Sequence, residues 1–113
     1  MSSLKKKAMK LWIQNYGDRM YAEDFHGNLM YRDAYGDPEF YIKENGDRIY
    51  CGWNLHHILP AALGGTSDYS NLLCTNILTN EAAGDRVTFW IDDILYQVHR
   101  IKGTNNHVIR PRN

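Results

Sequence analysis

Two adjacent imidazoles, His56 and His57, followed by the amides of Asn71 and Asn80, are the residues in this 113-residue chain whose types and spacing could do chemistry. Imidazole binds borderline divalent cations and, with an ordinary pKa of about 6.5, exchanges protons near neutrality. The amide oxygen of Asn is a harder donor, of the kind that suits magnesium or manganese. Hydrolysis of a phosphodiester needs a base to activate water, a cation to stabilise charge growing on the phosphate, and something to stabilise the departing oxygen. The stretch from Trp53 to Arg86 holds residue types for all three. Successive strand residues point to opposite sides, so a shared task for His56 and His57 requires a twist or bulge at the strand end before Pro60.

The elements that must position them read as follows. Leu4, Ala8, Leu11 and Trp12 recur at helical spacing with lysines between them, which predicts an amphipathic helix over residues 1–17, its apolar side against the body. Beyond Asp24, His26-Gly27-Asn28, Gly36-Asp37-Pro38 and Asn45-Gly46-Asp47 are turn signals between short runs rich in Tyr, Ile and Phe. The runs LMYRDAY, EFYIK and RIYCGWNLHHIL are expected as strands of one small antiparallel sheet, the last carrying the histidines. Pro60 stops that strand and 61–70 forms a loop around Gly64-Gly65. A short extended piece at Asn71 to Leu73 leads into a helix over ILTNEAAGDR, whose Gly84 lies near its end. VTFWIDD and ILYQVHRI predict a C-terminal β-hairpin extension over 87–113, with HVIRP a candidate third strand.

Trp53-Asn54-Leu55-His56-His57-Ile58-Leu59-Pro60, then Gly64-Gly65, then Asn71-Leu72, then Asn80 with Gly84 after it, resembles the HNH endonuclease motif. That motif runs acid or His, His, Ile, any residue, Pro; a Gly-Gly loop; Asn-Leu; and a final Asn or His nine residues beyond that Asn, the separation of Asn71 from Asn80 here. Tyr31 to Gly36 and Gly52-Trp53 look like the lead-in of a compact HNH subgroup, so the resemblance covers roughly residues 30–86. It implies an α+β fold: a ββα-metal (HNH, His-Me finger) core with an N-terminal helix and additional small antiparallel β-strands, in one domain over 1–113 with the sheet and motif at 29–86. It also implies roles. His57 matches the general base, His56 the first metal ligand, Asn80 the second, and Asn71 the middle Asn that ties the loop together and helps orient the base. One divalent metal ion would act as Lewis acid and stabilise the leaving oxygen, and cleavage of DNA, double-stranded in preference to single-stranded, would leave a 3′-hydroxyl and a 5′-phosphate. His56 stands where many members have an acid, so the cation is left open between Mg, Mn, Ni and Zn. Neither Cys51 nor Cys74 belongs to a CxxC pair, so no structural zinc is expected. A short free-standing member of this kind suggests a phage or mobile element.

The formal net charge is zero, but the charges are segregated. Lys5, Lys6, Lys7 and Lys10 lie at one end and Arg100, Lys102, Arg110 and Arg112 at the other, with no acid among residues 1–10 or 100–113; all thirteen acids lie between. Such ends suit phosphate contact, although solvated termini account for such runs more often. Arg86, just past the site helix, either contacts phosphate or caps the helix C-terminus. No apolar run approaches the roughly 20 residues that span a bilayer, and the basic start lacks a secretory pattern, so a cytoplasmic setting with no membrane partner is the expectation. The oligomeric state is open, a homodimer being one option.

Each piece has a plainer reading. An adjacent His pair is commonly a half-exposed strand feature, Asn71 could cap a turn, Asn80 could be a surface helix residue, and Gly64-Gly65 could serve only a positive φ. The ordered spacing is what sets these readings aside. His26 is expected as a turn residue, His99 and His107 as exposed strand positions, Cys51 and Cys74 as small buried apolar residues, and Trp12, Trp53, Phe89 and Trp90 as core anchors. Two other classes of function compete: a catalytically silent HNH-fold binding or inhibitor protein acting on a host or phage factor, and a purely structural metal-binding domain.

Overall fold

The helical spacing of the first segment is realised as α1, Ser3–Tyr16, in a computed structural model that describes residues 3–112. Ala8, Leu11 and Trp12 turn inward, and Gly17 ends the helix with its N–H on the Ile13 carbonyl at 2.8 Å. Nine short strands follow, arranged as small antiparallel sheets, with a second α-helix among them, so the described residues form an α+β fold. The strands are β1 (Tyr21–Glu23), β2 (Leu29–Tyr31), β3 (Tyr41–Glu44), β4 (Asp47–Tyr50), β5 (Trp53–His57), β6 (Leu72–Asn76), β7 (Thr88–Ile91), β8 (Ile94–Arg100) and β9 (His107–Pro111); α2 is Ile77–Ala83.

The expected single sheet of three upstream strands is not formed. β1 pairs with β2, β3 with β4, and β5 with β6, as separate two-stranded ribbons. Two local features divide them. After Tyr31 the chain turns into a 3-10 helix at Arg32–Ala34, where the Trp53 indole donates to the Arg32 carbonyl at 3.2 Å. The run from Arg48 to Leu59 breaks at Cys51-Gly52, and Gly52 packs so closely on the Asp37 carbonyl and the Tyr50 hydroxyl that a Cβ there would overlap both. At the other end the expected hairpin gains its third strand: β7, β8 and β9 form one antiparallel sheet, with Asp92 at φ 52° in the β7–β8 turn.

The β5–β6 ribbon is the centre of the molecule. Its register sets His56 opposite Leu73 and His57 opposite Leu72. One face, carrying Trp53, Leu72 and Cys74, packs with Ala8, Leu11 and Trp12 of α1 and with Met30 in the larger core. Trp12 and Trp53 lie 5.0 Å apart between ring centroids. The opposite face, carrying Asn54 and His56, meets α2. A second cluster, Ala83 with Phe89, Ile91 and Tyr96, fastens the C-terminal sheet to α2. Trp12, Trp53 and Phe89 are core residues as expected, but Trp90 is not: at 61% exposure it lies on the outer face of β7, because the strand's alternation turns Phe89 and Ile91 inward. Cys51 and Cys74 are buried free thiols, and burial pushes the Cys74 thiol up to about 12. Among the described residues no helix is long and apolar enough to cross a membrane.

Candidate active site

His56, His57 and Asn80 line one cleft of about 270 Å³, together with Leu55, Pro60 and Asp85. Both histidines stay in regular register, His56 opposite Leu73 and His57 opposite Leu72, without the expected bulge, yet as the last two residues of β5 both border this space. His56 is 6% exposed, and its Nδ1 lies 2.5 Å from Asn80 Oδ1. The Asn80 amide is oriented from its other side: Nδ2 donates to Asn54 Oδ1 at 2.7 Å and approaches the Leu55 carbonyl at 3.5 Å. Those two acceptors fix which end of the amide faces His56. Burial lowers the His56 pKa, with the Asn80 contact and the charge of Asp85 acting against that fall and His57 adding to it. In the neutral ring that burial favours, Nδ1 carries the proton and donates it to Asn80 Oδ1, leaving the lone pair on Nε2.

His57 is half-buried, and its Nε2 lies 3.1 Å from Ser67 Oγ. Ser67 is held in turn by Lys7, whose Nζ donates to the Ser67 carbonyl while lying over the Tyr69 ring. Lys7 of α1 thus braces the loop that holds the second imidazole.

Asn71 ties that loop to the strand. At 7% exposure it accepts from the Leu59 N–H at 2.9 Å through Oδ1, and donates through Nδ2 to the Leu59 carbonyl at 3.1 Å and the Thr66 carbonyl at 2.8 Å. The glycine pair makes this clamp possible. Gly64 takes φ 97°, and a Cβ on Gly65 would overlap the Leu59 carbonyl and come within 2.9 Å of Asn71 Nδ2.

The start of α2, and with it Asn80, is set by residues that the spacing did not single out. Asn76 caps the helix by accepting from the Leu78 N–H at 2.9 Å, and its Nδ2 donates to the carbonyls of Leu29 and Tyr50. Asp24 accepts from the N–H groups of His26, Asn28 and Asn76, and Asn28 donates to Thr79 Oγ1. The Asn before ILTNEAA is a helix-start signal and Asp24 opens a turn of the Asx type, so both had legible local signatures. Their joint reach from the β1–β2 hairpin to α2 had none.

The basic residues divide. Lys7 reaches the His57 neighbourhood, whereas Lys5, Lys6 and Lys10 are exposed along α1. Arg86 caps the C-terminus of α2, donating to the carbonyls of Ala82 and Ala83, as one of its two readings has it. Arg100 donates to the Thr104 carbonyl and lines a groove of about 400 Å³ with Asn71, Asn106 and His107. Lys102 in the β8–β9 turn, Arg110 on β9 and Arg112 just past it are exposed, and none of them lines the His56–Asn80 cleft. His26 is a turn residue as expected, but it also joins the turn to that sheet, with Nδ1 2.8 Å from the Tyr96 hydroxyl and Nε2 2.6 Å from Asp92. His99 is exposed on β8, whereas His107 is half-buried rather than exposed, because it lines the groove beside Arg100.

No group of three His, Cys, Asp or Glu side chains is clustered to hold a metal among the described residues. The groups a cation could use at the cleft are instead the His56 imidazole, once the Nδ1 proton is displaced, and the Asn80 amide oxygen, with Asp85 also lining the space, a set that fits a cation keeping most of its coordination sphere for water and substrate. No family model, curated protein or solved structure matches the chain.

Proposed function

We propose that this chain is a metal-dependent endonuclease of the HNH type, with β5, β6 and α2 as its ββα-metal core and DNA as its substrate. The observation that supports the reading is the contact of His56 Nδ1 with an Asn80 Oδ1 that Asn54 orients, both residues lining a cleft that His57 also borders; a cation held there would replace the Nδ1 proton. His56 and Asn80 would hold one divalent cation, and a cation so bound supplies Lewis acidity and stabilises the departing oxygen. His57 takes the proton of the attacking water. With Nε2–H donating to Ser67 Oγ, the lone pair that would take the proton is on Nδ1. Asn71 and Gly65 keep the loop close enough for Ser67 to hold that ring, and Asn54 and Leu55 present the Asn80 oxygen.

Incubation with supercoiled plasmid and Mg²⁺, Mn²⁺, Ni²⁺ or Zn²⁺ tests the proposal. The expected result is nicking with at least one metal, abolished in His57→Ala. Absence of nicking in every metal across a range of salt removes the enzyme reading. A second reading, a binding protein on the same scaffold, is favoured by the exposed Trp90 beside Leu95 on the C-terminal sheet; it predicts a stoichiometric partner released by Trp90→Ser and no nicking.

A further inference from the structure

The three-stranded C-terminal sheet gives one face to the core and turns the other outward. Phe89, Ile91 and Tyr96 pack with Ala83 of α2, so the residues alternating with them point away from it. The pairing sets these outer residues in rows across the strands: Thr88, Gln97 and Arg110 form one, and His99 opposite Val108 another. The third row has Trp90 opposite Leu95, and Arg112, just past β9, donates its N–H to the Leu95 carbonyl at 2.7 Å, which extends the row by one pair. One edge of the face is therefore aromatic, with Trp90 61% exposed, and the other is cationic, with Arg110 and Arg112 exposed. No carboxylate belongs to any of the three rows. The acids nearest in sequence, Asp92 and Asp93, lie in the β7–β8 turn, and Asp92 is held by His26.

We propose that this outer face binds an unpaired stretch of DNA, one base stacked on Trp90 and the backbone running along Arg110 and Arg112. Two guanidinium groups with no acid among them complement a row of phosphates. They stand two residues apart along one edge, about 7 Å, comparable with the phosphate spacing of an extended, unstacked strand. Trp90 lies two strand spacings across the sheet, roughly 10 Å away. A base thus reaches the indole while its phosphate stays with the long arginine side chains, the sugar lying over Leu95 and Gln97. The same geometry disfavours a duplex: its major groove, roughly 12 Å wide, takes a helix or a two-stranded ribbon rather than a three-stranded sheet, and paired bases offer no free ring face to an indole. The choice of DNA over RNA rests on the nuclease reading, but stacking on Trp90 is read without cleavage.

Trp12 and Trp53 are fully buried, so quenching of exposed-tryptophan fluorescence reports on Trp90. The test is a titration of the full chain, without metal, with an oligothymidylate of about 12 nucleotides, inside the roughly 4–16-nucleotide range of single-strand sites. Saturable quenching is expected, with weaker binding of a duplex of the same length. By anisotropy of a labelled oligonucleotide, Trp90→Ser is expected to bind about 10-fold more weakly, the scale of one base stacked on an aromatic ring. Arg110→Gln is expected to lower the slope of log affinity against log salt by about 0.7, one phosphate contact on a single strand. No saturable quenching, unchanged affinity in Trp90→Ser, an unchanged salt slope in Arg110→Gln, or tighter binding of duplex or of oligouridylate would each overturn the proposal; a protein partner seated on Trp90 gives the first of these. Plasmid nicking by a chain whose Trp90 is never quenched leaves the nuclease reading standing and removes this one. Saturable quenching in a chain that never nicks does the reverse.

Discussion

Replacing Asn71 by Ala removes three hydrogen bonds at once, and the structure says what each removal leaves behind. The Leu59 N–H loses its acceptor at 2.9 Å, and the Leu59 and Thr66 carbonyls lose their donor at 3.1 and 2.8 Å, at a residue only 7% exposed. A hydrogen bond contributes about 1 kcal/mol net, and a buried donor left unpaired costs about 1–3 kcal/mol, so the expected loss is about 3 kcal/mol. That is a large part of the 5–15 kcal/mol typical of a natural domain. Urea denaturation followed by tryptophan fluorescence measures it as a lowered midpoint at unchanged slope. The loop carries Ser67, so the same variant should lose nicking activity by more than its unfolded fraction explains, when assayed well below the midpoint. A stability loss under about 0.5 kcal/mol, the range of ordinary surface changes, would refute the reasoning that this amide holds the loop to the strand.

Gly65→Ala attacks the same clamp from the other side, because the added Cβ meets the Leu59 carbonyl and the Asn71 amide; it should destabilise comparably, and its combination with Asn71→Ala should cost clearly less than the sum, as denaturation midpoints will show. Cys74 is raised from 9.0 to about 12 by burial, so the folded state holds its proton longer than the unfolded chain. Its contribution is complete below pH 9 and is lost as pH rises toward 12, by about 1.4 kcal/mol at pH 10. Cys74→Ala should flatten the fall in stability between pH 8 and 10; an unchanged slope would contradict that assignment. Arg86→Ala removes a solvent-exposed cap of two α2 carbonyls and should lower stability by less than about 1 kcal/mol, while the affinity for a short DNA duplex measured by anisotropy stays unchanged; a large loss of affinity would return Arg86 to phosphate contact.

Local patterns carried much of this molecule. The spacing of Ala8, Leu11 and Trp12 gave the buried face of α1, although Leu4 of the same pattern is 56% exposed in the helix's first turn, and the order strand, loop, strand, helix around His56, His57, Asn71 and Asn80 is the order of β5, β6 and α2. The grouping of His56, His57 and Asn80 at one cleft was likewise legible, because each residue's element and distance along the chain were readable. What the pattern did not carry is tertiary. Gly52 interrupts a run that looks continuous because the Asp37 carbonyl, fifteen residues away in the chain, occupies the space beside it. Trp90 was expected inside because aromatics usually are, yet the phase of β7 was set by Phe89 and Ile91 packing on α2. Ser67 and Lys7 at His57 could not be seen, since nothing in either local sequence announces that α1 folds back over the loop. Arg86 was ambiguous in sequence because a helix end and a phosphate both recruit guanidinium groups.

The central claim is a division of labour between neighbours, His56 holding a cation with Asn80 and His57 moving a proton. Mn²⁺ binding by calorimetry and plasmid nicking, measured on the same preparation of His57→Ala, test it most directly. The account predicts metal affinity within a few-fold of wild type and no nicking, with His56→Ala losing both. Nicking retained in His57→Ala, or metal binding unaffected in His56→Ala, would contradict it.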